Sequence, residues 1–315
     1  MAKPAFQLPG RAVAFAPDGL CVVSDGKDWN FVHLPDGQIQ HAIAGAGGSP
    51  TEARFSADGH VLAVVSGDEV RVWRVSDGVK LAQVKAQDRP TPRLVNVALS
   101  PDGSYVAASA LIDRILFVWR VSDGKLLDTR HDVGYRVFGW ARDGALFAGR
   151  KFRVQGEKLV VVPSQDDGVG AVSPMDLWSS DDGEMLATIK GESVLIDSLR
   201  DYQHQSWDLA GRGLTNVAWT PDKKRVALRF QTGNSVSGPH IRAFVEMRRV
   251  SDGALLHSMQ MGTSKNGTDT AGTWMNVSGD GKWLVIESRP RELNLWPISD
   301  WTSPIPTPDS EQKAT

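Results

Sequence analysis

The sequence predicts an all-β chain of seven four-stranded antiparallel sheets set in a closed ring, and three observations lead there. An apolar residue followed, after two intervening positions, by Asp-Gly recurs at intervals near 40 residues. The tetrapeptide Val-Ser-Asp-Gly occurs three times, at 75–78, 121–124 and 250–253. The 31 glycines and 11 tryptophans, with frequent Asp-Gly pairs, break the apolar sequence into runs of strand length.

The first marker runs from Phe15 to Gly19, Phe55 to Gly59, Leu99 to Gly103 and Trp140 to Gly144. Weaker copies run from Trp178 to Gly183, Trp219 to Lys223 and Val277 to Gly281. Taking the residue after the aspartate, the marks fall at 19, 59, 103, 144, 183, 223 and 281. The steps between them are 40, 44, 41, 39, 40 and 58. Five near-equal steps define a repeat, and seven marks make seven repeats.

Repeat three shows the unit most clearly. Val95 to Leu99, Tyr105 to Ser109, Ile115 to Trp119 and Lys125 to Thr129 are short runs rich in β-branched and aromatic residues, which favour a pleated backbone. Asp-Gly between them supplies the positive-φ positions of a tight hairpin. Such a sheet has two apolar faces and must bury both. Seven of them in a ring do so and leave only short edges exposed.

On these residues the chain resembles the WD-repeat family of β-propellers. The resemblance rests on Val70 to Gly78, Phe117 to Leu127 and the Ser100 to Gly103 turn, and extends over about residues 5 to 301. It implies a seven-bladed β-propeller of four-stranded antiparallel blades. The chain departs from the family where an aspartate follows the third-strand tryptophan: Arg74, Arg120 and Pro297 stand there. The family's hydrogen-bonded tetrad implies roles for Ser109, Asp113 and Trp119, but Pro90 occupies the histidine position. Repeat four keeps His131 in register and lacks the aspartate and the tryptophan. No repeat has the full set, so blade cohesion is expected to rest on packing.

The last repeat supplies Trp283 to Glu287 and Glu292 to Trp296, then runs into Trp301 without a fourth strand. The spare segment Ala5 to Leu8 precedes the first repeat and is expected to complete the seventh blade, closing the ring with the N-terminal strand. Residues 1–302 are thus expected to form one domain. Residues 303–315, rich in Pro, Thr, Ser and charge, are expected to be a disordered tail.

Composition narrows the function classes. The 35 basic and 37 acidic residues give a net charge of -2, with no global pull towards nucleic acid or anionic lipid. A single cysteine, Cys21, excludes an intrachain disulfide framework and a cysteine-based zinc cage. The first ten residues lack an apolar leader core and no run of ~18 apolar residues occurs, so a soluble cytoplasmic chain without membrane contact is expected. There is no Gly-x-Ser-x-Gly elbow, and the Gly-Lys pairs lack the upstream glycine of a phosphate loop. Gly45-Ala-Gly-Gly48 reads as a connecting loop. The seven histidines show no ligand-like pairing, and the aspartate pairs lack the alternation of a calcium loop. Neither cofactor nor metal is expected.

Tryptophans 73, 119 and 296 occupy equivalent third-strand positions, and 140, 178 and 219 equivalent first-strand ends, so all six are read as packing between blades. Trp29 and Trp207 fall in expected loops and are read as available to a partner. Asp-Gly turns join strands one to two and three to four and gather on one face. The opposite face carries the strand-two-to-three loops, the connections between blades and the channel mouth. In the resembling family that face is the commonest binding surface. Around the mouth it would present Arg11, Glu52, Arg93, Tyr135 and Thr273, with Arg89, Arg114, Arg153, Trp29, Trp207 and Arg212 further out.

The step of 58 places about 18 extra residues in repeat six. They divide between 231–242, with His240 and Arg242, and 258–273, with Lys265. Both are expected to be loops on the binding face, where long loops often carry function. The leading expectation is a non-enzymatic scaffold, monomeric on its own, that binds a protein or peptide through arginine and aromatic anchors. The alternative is an enzyme or small-molecule binder with a pocket at the channel mouth beneath those loops, using His240 and Asp269 as an acid–base pair. Asp88, Asp113, Asp132 and Asp208 interrupt the basic residues, so no nucleic-acid stripe forms.

Overall fold

A computed structural model of the chain describes residues 4–43, 52–87, 92–110, 114–131, 138–141, 143–148, 151–162, 177–180, 184–198, 203–210, 212–232, 241–264, 274–289 and 292–302. The chain opens with β1 (Phe6–Pro9). Blade one is β2 (Arg11–Phe15), β3 (Leu20–Ser24), β4 (Trp29–His33) and β5 (Ile39–Ile43). Blade two is β6 (Glu52–Phe55), β7 (Val61–Ser66), β8 (Glu69–Arg74) and β9 (Lys80–Lys85). Blade three is β10 (Leu94–Leu99), β11 (Tyr105–Ala110), β12 (Ile115–Arg120) and β13 (Leu126–Arg130). Blade four is β14 (Phe138–Trp140), β15 (Ala145–Ala148), β16 (Lys151–Gln155) and β17 (Lys158–Val161). Blade five is β18 (Leu177–Ser179), β19 (Met185–Lys190), β20 (Ser193–Ser198) and β21 (His204–Asp208). Blade six is β22 (Gly213–Trp219), β23 (Arg225–Thr232), β24 (Ile241–Arg249) and β25 (Leu255–Ser264). Blade seven contains β26 (Met275–Val277), β27 (Trp283–Arg289) and β28 (Glu292–Pro297).

Among the described residues these strands make seven antiparallel four-stranded sheets, the seven blades of a β-propeller. Six follow chain order from the inner strand outward. The seventh has the order β1-β28-β27-β26, with Phe6 opposite Leu295 and Pro9 opposite Glu292. First strands of successive blades touch (β2 with β6, β6 with β10, β10 with β14, β22 with β26), which places them towards the axis.

The core lies between blades, because alternate residues of each strand face opposite neighbours. Phe31 and Trp29 of blade one share a buried cluster with Leu62 and Trp73 of blade two, and Trp29 meets Trp73 edge-on at 5.2 Å between ring centres. Val70 and Val72 pack with Phe117 and Trp119, then Leu116 and Val118 with Phe152 and Leu159. Val194 and Ile196 pack with Leu228 and Phe230, and Val245 and Met247 with Leu284 and Trp296. Cys21 and Val23 of blade one pack with Val285 and Leu293 of blade seven. Trp73, Trp119, Trp140, Trp219 and Trp296 are all buried, the packing role read for them. The indole N–H groups of Trp29, Trp207, Trp219 and Trp296 find no acceptor, so van der Waals contact and apolar burial hold these rings.

The repeat marker has a physical cause in a hydroxyl–aspartate clasp. The Ser100 hydroxyl donates to Asp102 Oδ1 at 2.7 Å and accepts the Tyr105 N–H at 2.9 Å. Asp102 Oδ1 also accepts the Ser104 N–H at 3.0 Å. Burial alone would raise the Asp102 carboxyl, but the Ser100 and Ser104 donors hold it below the usual carboxylate range. Ser56–Asp58, Thr220–Asp222 and Ser278–Asp280 repeat the clasp at 2.5, 2.6 and 2.6 Å. The residue after the aspartate takes positive φ, as Gly103 does at 70°.

In repeat six Lys223 takes that position at φ 60°. A side chain there carries left-handed strain that glycine avoids. Lys223→Gly is therefore expected to stabilise the protein by about 0.5–1 kcal/mol, after the extra freedom of an unfolded glycine. A urea unfolding curve with an unmoved or lowered midpoint would refute the strain at this turn.

The insertion in repeat six corrects the expectation of two loops. Residues 231, 232, 241, 242 and 258–264 are strand, and only parts of the two segments lie outside the described residues. β23, β24 and β25 have 8, 9 and 10 residues, against 5 or 6 for the third and fourth strands of blades one to three. The cause is the alternation of Ile241-Arg-Ala-Phe-Val-Glu-Met247 and Met259-Gln-Met261, which continues the strand period into the insertion. Pairing reaches Thr232 opposite Arg242 and Ile241 opposite Ser264. Blade six therefore rises above its neighbours on the face opposite the Asp-Gly turns.

Candidate partner-binding face

Most of the charged side chains named on either end of the ring are bound to neighbours. On the Asp-Gly end, Arg74 binds Asp77 at 2.8 Å, Arg120 approaches Asp123 at 3.6 Å and Arg249 binds Asp252 at 2.8 Å. These arginines begin the Arg-Val-Ser-Asp-Gly runs, so the residue replacing the family's aspartate clamps the following turn. The Val79 N–H, with help from Arg74, holds the Asp77 carboxyl below its ordinary range. Glu157 accepts from Arg120 at 3.0 Å and Lys125 at 2.7 Å, tying blade four to blade three. Arg153, expected on the opposite face, instead lies in β16 and binds Asp143 of the Asp-Gly turn at 2.8 Å, beside Lys151 at 3.4 Å. The charges named here are committed to neighbours.

On the opposite end the expected site residues divide. Arg93, in the connection entering β10, is exposed, and no hydrogen bond or ion pair engages its side chain among the described residues. Glu52 instead clasps two blades. Its Oε1 binds Arg54 at 2.7 Å, and its Oε2 accepts the Val97 N–H of blade three at 3.1 Å. Arg212 is held inside the seam between blades five and six. Its guanidinium lies 4.3 Å from the Phe230 ring centre, Nε donates to the Leu209 carbonyl at 3.0 Å and Nη1 pairs with Glu246. Arg248 completes that buried carboxylate at 2.8 Å.

Trp29 and Trp207 require correction. Neither lies in a loop: Trp29 begins β4 at 2% exposure and Trp207 lies in β21 at 7%. Both rings fill seams between blades, which leaves no surface for a partner. Arg114 is half-buried in a turn with φ 56°. Arg11 begins β2 opposite Ser24, and Arg242 lies in β24 opposite Thr232. Arg89, Tyr135, His240, Lys265, Thr273 and Asp269 lie outside the described residues.

Sequence reading missed a charged cluster on blade two. Glu69 is buried at the start of β8, with Arg71 bound to its carboxylate and Lys85 at 3.8 Å. Burial would raise its carboxyl, but hydrogen bonds from Arg71 and Gln83 and the nearby positive charges together hold it low. The Glu-x-Arg spacing, which puts both side chains on one strand face, was the available signal. A second missed device guards an edge. Asp128 accepts the Leu159 N–H at 2.9 Å and Arg130 donates to the Leu159 carbonyl, so side chains of blade three cover part of the outer edge of β17.

No family model matches the chain. Over 129 residues it is 27% identical to an uncharacterized WD repeat-containing protein of Synechocystis, covering 40% of this chain and 36% of that one. Over 150 residues it is 29% identical to the Periodic tryptophan protein 2 homolog of Schizosaccharomyces pombe, covering 44% of this chain and 17% of that one. The matched stretches are thus well under two thirds of either relative. A chain in the crystal structure of the mitotic checkpoint complex superposes with a TM-score of 0.62 at 14% identity, covering 95% of this chain and 96% of that chain. That likeness shows the fold.

Proposed function

We propose that this seven-bladed β-propeller, similar over part of its length to WD-repeat proteins, is a non-enzymatic scaffold that holds a protein or peptide on the face opposite its Asp-Gly turns. The raised sixth blade forms one wall of that face. The observation that carries this reading is Arg93 itself, exposed on the proposed face with no hydrogen bond or ion pair among the described residues, whereas Glu52 and Arg212 there and the named arginines of the other end are bound to neighbours. An arginine with its donors unspent can anchor an interface, because its planar fork binds carboxylates and backbone carbonyls at modest entropic loss.

The test compares two charge reversals on opposite ends. Arg93→Glu is expected to weaken capture of a native partner by about tenfold. Lys80→Glu, at the Asp-Gly end of β9, changes charge equally and is expected to leave capture unchanged. Quantitative affinity capture against a purified partner decides it. A partner that resists Arg93→Glu and is lost with Lys80→Glu would put the binding face at the other end.

A further inference from the structure

A cavity of about 320 Å³ opens on the flank of the ring where β1 meets blade one, with Asp25 at its end nearest the strand-two-to-three loop of that blade. Its walls are Leu8 of β1, Val23 of β3, Val32 of β4 and Ile39 of β5. Ile39 is 61% exposed, the most exposed large apolar side chain among the described residues. Leaving such a side chain in water at the rim of an apolar hollow is unfavourable, unless something covers it.

Two polar groups converge on the same hollow. Asp25 and Asn30 both line it. Asp25 Oδ1 accepts the Lys27 and Asp28 N–H groups at 2.8 Å each, while Oδ2 takes no bond from a described residue. The half-buried Asn30 side-chain amide likewise makes none. The two backbone donors hold the Asp25 carboxyl below its ordinary range, so it is an anion at neutral pH. An apolar hollow at the small end of ligand-pocket volumes, with a few convergent polar groups, is the usual form of a small-molecule site.

We propose that this seam cavity binds a small organic ammonium ion, its apolar body against Leu8, Val23, Val32 and Ile39 and its ammonium on Asp25 Oδ2. Asn30 supplies a carbonyl oxygen as a second acceptor for the same head group. The Asp25 carboxylate, beside the positive charge of Lys27, supplies the anion that favours a cation, and the modest volume selects a free small molecule about the size of an aryl-ethyl group.

The experiment titrates the whole chain with 2-phenylethylammonium by calorimetry, with saturation-transfer NMR as a second readout. Saturable binding is expected, about tenfold weaker for Asp25→Asn, which keeps an oxygen for the two backbone donors but removes the charge. Ile39→Ala, at an exposed position that leaves folding intact, is expected to weaken it as well. Phenylacetate, with the same ring and the opposite charge, is expected not to bind. The proposal falls if the ammonium shows no saturable binding up to its solubility. It falls equally if Asp25→Asn and Ile39→Ala both bind unchanged at wild-type melting temperature, or if phenylacetate binds as tightly. Partner capture by the Arg93 face is unaffected by any of these outcomes.

Discussion

Removing residues 1–9 is expected to leave the seventh sheet with three strands and to lower stability by about 3–5 kcal/mol, with aggregation on heating. The estimate follows from what β1 supplies. Its backbone pairs with β28 over four residues, and the Ala5 N–H reaches the Leu295 carbonyl at 2.8 Å. Roughly one kcal/mol per net hydrogen bond sets the scale. Gln7 binds Asn294 at 2.8 Å and Glu292 at 2.9 Å, and Phe6 packs edge-on against Trp283 at 5.6 Å. Leu8 packs against the cluster shared by Cys21, Val32 and Leu293. The truncated chain would also expose β28 as a bare edge, a template for pairing with other chains. Differential scanning calorimetry with light scattering checks both parts. Unchanged melting would show that the N-terminal strand does not fasten the ring.

Gly279→Ala is expected to destabilise by about 3 kcal/mol or more, an unusual loss for one methyl group. A Cβ at Gly279 would lie 1.8 Å from the Ala16 carbonyl oxygen and 2.9 Å from the Pro17 Cα. Both obstacles are backbone, so neither can swing aside. Gly279 has no positive φ, which makes the whole effect steric. The contact joins the inner turn of blade seven to that of blade one, where Phe15 also stacks on Trp274 at 5.6 Å. Gly144→Ala is the matching control. It adds a methyl with nothing within 4 Å, at φ 81°, and carries only the left-handed strain of about 1–2 kcal/mol. Equal losses for the two variants, measured by urea unfolding, would show that the seam tolerates the displacement.

The blades were legible because their turns are local chemistry. An aspartate that accepts an amide two residues on, joined in four repeats by a hydroxyl two residues back, recurs with the turn, and a reader can count it. The strand alternation running into 231–242 and 258–264 was equally local, yet the mark-to-mark arithmetic counted those stretches as loop, since spacing alone cannot distinguish a longer strand from a longer connection. Availability of a side chain is a different kind of information. Glu52 is used up by an amide 45 residues away and Arg212 by a carboxylate 34 residues away. Trp29 follows Asp25-Gly-Lys-Asp28, a run that reads as a turn, but its ring is claimed by Trp73 of the next blade. Non-local partners of this sort leave no periodic trace. Arg93 kept its expected exposure because the structure gives it no such partner.

The pairing of Phe6 with Leu295 also sets a timetable for the chain. At about 5–20 residues per second, a ribosome needs roughly 15–60 s to make the sequence between β1 and β28. Through that interval the first strand has left the exit tunnel and its sheet does not yet exist. Blades one to six can form in order of synthesis, each from contiguous sequence, whereas the seventh must wait for two strands far apart in sequence to dock. Until β28 is made, β1 has no partner in its sheet and its backbone edge is open to other chains.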